Sequence, residues 1–133
     1  MIEQTKVSLR IVTSALTCAE ISSLLGVTPH GCVLRDNVYG LNPSEERHYC
    51  MWTYEAAMEQ TENLSSQLGN IAGLLKERRE AFASIAERAE VVDHFCMLAI
   101  TSGQGMCCID ADASRRVSAL GLNVVLDIYG GDE

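Results

Sequence analysis

The chain has 133 residues, a formal net charge of −8, 47% apolar residues and 21% charged residues. That length and composition suit one globular domain, residues 1–133, and exclude a disordered chain. The acidic balance argues against nucleic acid and anionic membrane as partners; it serves solubility and would steer a basic protein toward the chain.

The opening stretch "MIEQTKVSLRIVTSAL" is too polar for a signal peptide, and no apolar run is long enough to span a membrane. From residue 6 to 14, "KVSLRIVTS" alternates: Val7, Leu9 and Ile11 face one way, and Ser8, Arg10 and Val12 face the other. This predicts a half-buried strand. In "TCAEISSLLG", Thr17 followed three positions later by Glu20 is a capping box, and Gly26 suits a left-handed helix stop. Pro29 then prevents continuation. Residues 31–54 read as two short strands around a polar loop marked by Gly40, Asn42 and Pro43.

The strongest periodic segment is 62–89, where Leu64, Leu68, Ile71, Leu75, Phe82 and Ile85 recur at helical spacing. Gly69, Gly73 and "KERRE" weaken its middle, so a break near Lys76 is expected. "VVDHFCMLAIT" is a buried strand, and "SGQG" (102–105) is a turn. A helix capped by Asp110 or Asp112 ends at Gly121, and "LNVVLDIYG" closes the chain as a strand. In that strand Leu122, Val124, Leu126 and Ile128 share one face, and Asn123, Val125, Asp127 and Tyr129 share the other.

The fold class expected is α+β: a two-layer sandwich with a mostly antiparallel sheet and helices on one face, a ferredoxin-like variant. One sheet face is then partly open. If the first and last strands are neighbours, Arg10 and Asp127 pair on it. Arg10, Asp127, Tyr129 and Trp52 are the residues expected to form a binding surface there, although a lone tryptophan beside Cys50 and Tyr54 suits a core better.

"SLRI", "TCAEISSLLGVTP", "MWTY" and the closing "SALGLNVVLDIYG" together resemble the small bacterial proteins grouped as domain-of-unknown-function family 4279. The resemblance covers nearly the whole chain. It implies a stand-alone bacterial α+β domain, and it carries over no catalytic residue. "MCCID" (106–110) lies outside the resemblance.

All three histidines stand two positions before a cysteine: His30 and Cys32, His48 and Cys50, His94 and Cys96. Residues so spaced on a strand share a face and can chelate one metal, with His48, Cys50, His94 and Cys96 the alternative ligand set. The spacing is not that of zinc sites, so buried thiols with partly exposed histidines, no metal and no cofactor are the expectation. Six cysteines in such settings read as reduced thiols in a cytoplasmic protein. Cys107 and Cys108 precede a helix start, but Asp110 and Asp112 would raise a thiol's pKa. Gly103 and Gly105 lack the rest of a phosphate loop, and Glu45 with Glu46 reads as solvated charge. The sequon at Asn63 falls in a helix and is discounted.

No active-site constellation emerges. A non-catalytic protein-binding module is the leading expectation, in one form an immunity-type protein that blocks a basic toxin or nuclease. A metal- or thiol-dependent enzyme built on the His-x-Cys pairs is the alternative. A homo-oligomer formed through the open face or an edge strand is the other partner reading.

Overall fold

A computed structural model describes residues 2–35, 48–57, 63–100 and 107–130. The loop residues Gly40, Asn42, Pro43, Glu45 and Glu46 and the turn at 102–105 lie outside the described residues. The elements are β1 (Ile2–Thr13), α1 (Cys18–Leu25), β2 (Gly31–Arg35), β3 (Tyr49–Glu55), α2 (Leu64–Glu77), α3 (Arg79–Arg88), β4 (Val91–Ile100), α4 (Ala111–Leu120) and β5 (Asn123–Gly130). The five strands form one mostly antiparallel sheet in the order β2-β3-β1-β4-β5. The class is α+β. With β1 between β3 and β4, the order follows the split βαβ, ferredoxin-like pattern, extended by α4 and β5. β5 runs parallel to β4, from Asp93↔Asn123 to Ile100↔Gly130, and α4 supplies the crossover that a parallel pair needs.

The caps are local chemistry and form where the sequence places them. Thr17 Oγ1 accepts from Glu20 N–H, while the Glu20 carboxylate accepts from Thr17 N–H. Asp110 caps α4 by accepting from Ala113 N–H at 2.8 Å. Gly26 and Gly121 adopt φ of 69° and 70°, the left-handed stop that side chains resist. Asn63 Oδ1 accepts from Ser66 N–H at 2.7 Å, so the sequon asparagine serves as the cap of α2. The long helical segment breaks at Arg78, two residues past the expected point.

The chain divides into two compact units. The first holds Met1–Leu9, Glu55–Glu77 and Asp93–Glu133. Within it, α2 packs on α4, and Val7, Leu9, Leu68, Ile71, Leu75 and Leu98 are buried. Gln67, on the buried face of α2, is 2% exposed and binds the β1 backbone through both ends of its amide: Oε1 accepts from Val7 N–H and Nε2 donates to Thr5 C=O.

The second unit holds Arg10–Tyr54 and Arg78–Val92. There α1 packs on α3 over Ile11, Ile21, Leu25, Trp52 and Ile85. Arg78 Nε donates to the carbonyl of Leu25 at 2.7 Å and satisfies one of the acceptors that a helix end leaves open. Thr13 Oγ1 donates to Arg88 C=O and Glu90 N–H donates to Val12 C=O, which ties the end of α3 to the end of β1. β1 is buried on both faces at Val12 and Thr13, where alternation alone predicts one open face. A strand with neighbours on both edges is covered more fully than its sequence shows.

Candidate functional site

Three places carry chemistry or exposure that the fold does not require. The first is a cysteine cluster in the second unit. β2 and β3 pair antiparallel with Cys32 opposite Trp52 and Leu34 opposite Cys50. Cys32 and Cys50 are therefore diagonal neighbours on one face. α1 begins at Cys18, and the chain returns through Gly26 and Pro29 to bring Cys18 against Cys32. Cys18 and Cys32 are joined as a disulfide, with Cα atoms 6.2 Å apart. This corrects the all-thiol expectation: the pair is separated by 14 residues in a chain with six cysteines, and no spacing rule marks it.

The third sulfur, of buried Cys50, lies with the other two inside a 4.8 Å group. Burial pushes the Cys50 thiol above its ordinary pKa. Among the described residues this is the group of three able to hold a metal; the set His48, Cys50, His94 and Cys96 does not form one. His30 and His48 are exposed, and His30 meets the Tyr54 ring edge-on at 5.2 Å.

In the chain-entropy account, a disulfide closing a loop of this length stabilises by about 3 kcal/mol. Oxidised Cys32→Ser is therefore expected to unfold at lower denaturant than oxidised wild type, by up to about that amount. After reduction the two proteins should unfold alike, and urea titrations with and without a thiol reductant check this.

The second place is β4. His94 is fully buried, and neither ring nitrogen meets a hydrogen-bond partner among the described residues. Desolvation lowers its pKa to about 4 against an opposing pull from Asp93, so the ring is neutral near pH 7. Cys96, two positions on, is raised to about 12, by burial first and then by Asp93 and Cys107, which makes it an inert thiol. Cys107 and Cys108 are exposed rather than core-facing. Ser65 Oγ donates to Cys108 C=O and accepts from Asp110 N–H, pinning this stretch ahead of α4.

The third place is β5. Leu126 is 45% exposed, Ile128 56% and Tyr129 54%. Val124, in the same row as Leu126 and Ile128, also lines a groove of about 380 Å³ with Ile109, Val117 and Leu122. Tyr129 donates its hydroxyl to the Asp127 carboxylate at 2.7 Å, and this bond and charge hold the phenol above its ordinary pKa.

The expected binding set is redistributed accordingly. β4 separates β1 from β5, so Arg10 and Asp127 are not on neighbouring strands, and Asp127 takes Tyr129 as its partner. Trp52 is fully buried, with its indole N–H donated to Ser22 Oγ at 3.0 Å; it is a core residue and presents nothing to a partner. Arg10 is half-buried on β1.

The fold and these sites define a small α+β domain. The chain belongs to the family described as Domain of unknown function (DUF4279), whose family model matches residues 3–131. No curated protein and no solved structure matches the chain. Among the described residues no helix is long and apolar enough to cross a membrane.

Proposed function

We propose that this chain is a non-catalytic protein-binding module that takes a basic partner along β5. The observation that carries the reading is the exposed apolar row of Leu126 and Ile128 on an edge strand. Soluble proteins usually blunt such edges with charge, proline or cover, so an apolar edge marks a place where something docks. The outer backbone groups of β5 can pair with an extended segment of a partner, while Val124 and its groove take an apolar side chain. The net charge of −8 favours a basic partner and opposes docking of a second copy. An immunity-type protein that blocks a basic toxin or nuclease is one concrete form.

The test uses the tagged chain and a Leu126→Thr, Ile128→Thr variant, which keeps the strand propensity. Each is incubated with native lysate at low and at high salt, and the bound proteins are identified by mass spectrometry. A stoichiometric basic protein at low salt is expected, lost at high salt and reduced at least about tenfold in the variant. Equal recovery by both proteins, retention at high salt, or an empty capture overturns the reading. Sedimentation over a dilution series identifies self-association through the same edge, which would replace a basic partner with a second copy.

A further inference from the structure

Cys18, Cys32 and Cys50 come from the start of a helix and from two paired strands, and their sulfurs fall within 4.8 Å of one another. A disulfide needs two sulfurs. A buried cysteine that only fills space packs as well elsewhere in the core, so the position of the third sulfur calls for another explanation. We infer that, once Cys18–Cys32 is reduced, these three cysteines form a thiolate site for one zinc ion, and that the disulfide is the closed state of that site.

The geometry suits the ion. Zinc–sulfur bonds of about 2.3 Å in a tetrahedron set the sulfurs roughly 3.8 Å apart. Cys50 is within that reach to better than about an ångström. Cys18 and Cys32 have only to part from their bond. Cys32 is exposed, which gives the ion a route in and leaves the fourth position to solvent or an outside donor. Cys18 is the first residue of α1, and one Zn²⁺ with three thiolates carries a net negative charge that the positive end of a helix favours.

The chemistry balances with a dithiol as reductant. One thiolate of the dithiol attacks a sulfur of the Cys18–Cys32 bond and forms a mixed disulfide. Its second thiol closes on the first and expels the remaining cysteine. Two electrons and two protons pass to Cys18 and Cys32, and the dithiol leaves as a disulfide. Zn²⁺ then displaces the three thiol protons to solvent. This site is independent of the β5 surface, so failure of either leaves the other standing.

The experiment uses the full chain, reduced with a non-chelating phosphine and titrated anaerobically with Co²⁺ as the visible stand-in for Zn²⁺. Expected are a thiolate-to-cobalt charge-transfer band and tetrahedral visible bands that saturate at about one equivalent and vanish on adding Zn²⁺. Oxidised protein should show neither band. Cys50→Ser and Cys32→Ser should each weaken binding at least about tenfold and remove roughly one-third of the charge-transfer intensity, since one of three thiolates is gone. Cys96→Ser and the Cys107→Ser, Cys108→Ser double variant should match wild type. Cys32 is exposed, so its variant reports on the site even if replacing buried Cys50 prevents folding. The site is overturned by absence of the band in reduced wild type, by equal bands in oxidised protein, by a Cys32→Ser variant that binds as wild type does, or by loss of the band in the Cys107, Cys108 variant.

Discussion

Lowering the pH from about 7 to about 4.5 should cost the protein roughly 2–3 kcal/mol through His94 alone. In the fold the ring's pKa is about 4, against 6.5 for an ordinary histidine. Well above pH 6.5 both the folded and the unfolded chain hold it neutral, and the group contributes no pH dependence. As the pH falls from 6.5 toward 4, the unfolded chain takes up the proton and the folded chain does not. The unfolded state then binds more protons, so stability falls with pH across that window and levels off for this group below about 4. Asp93 pulls the other way, but desolvation of a fully buried ring prevails.

The matching variant is His94→Leu. Replacing an imidazole whose nitrogens have no partner among the described residues with an apolar side chain of similar size is nearly neutral at pH 7, or mildly stabilising. The variant should also have a flatter pH profile than wild type between about pH 6.5 and 4.5. Urea denaturation of both proteins across that range isolates the histidine, because the carboxylates are common to both. Parallel profiles would show that His94 is not the group responsible. The result also bears on the His-x-Cys pattern: a ring that titrates this way is buried as a neutral side chain, whereas a metal ligand would be held by its ion.

Legibility from sequence followed range of interaction. The caps at Thr17 and Asp110 and the glycine stops at 26 and 121 are decided within four or five residues, and the residue types alone locate them. The break between α2 and α3 was visible in the weakened middle of the segment, though displaced to Arg78. What depended on strand order was hidden. Leu126 and Ile128 carry the alternation of a core-facing row, and only the edge position of β5 leaves them half in water. The histidine and cysteine pairs looked equivalent, yet one cysteine is bonded and exposed, one is buried beside it, and one lies in another unit. The joining of Cys18, Cys32 and Cys50 needed α1, β2 and β3 in place, and no spacing along the chain encodes it.

Gln67 is the clearest case of a long-range role without a sequence signal, and Gln67→Leu should destabilise the protein by about 2–4 kcal/mol. β3 ends at Glu55, and Ala56 N–H makes one further bond, to Val7 C=O at 2.9 Å. Thr5 and Val7 point their backbone groups to the same edge of β1, being two residues apart. Among the described residues β3 supplies no further partner, and a backbone N–H or C=O left unpaired at Val7 or Thr5 in the core of the first unit is costly. The Gln67 amide meets them at 3.0 and 2.7 Å, donor to acceptor and acceptor to donor, in the manner of a peptide unit of a neighbouring strand. On a helical wheel the residue is only a polar interruption between Leu64 and Leu68. Leucine there fills the space and gains apolar burial, but strands two buried backbone groups at about 1–3 kcal/mol each. Gln67→Glu preserves one acceptor but sets a second against the Thr5 carbonyl, so it should not rescue. Denaturant midpoints measure the loss. Amide exchange at Val7, compared with Leu9 on the same strand, locates it: exchange should quicken at Val7 beyond the global effect. A Gln67→Leu protein within about 0.5 kcal/mol of wild type would mean that water or a shifted backbone satisfies those groups, and that α2 is held to β1 by its leucines alone.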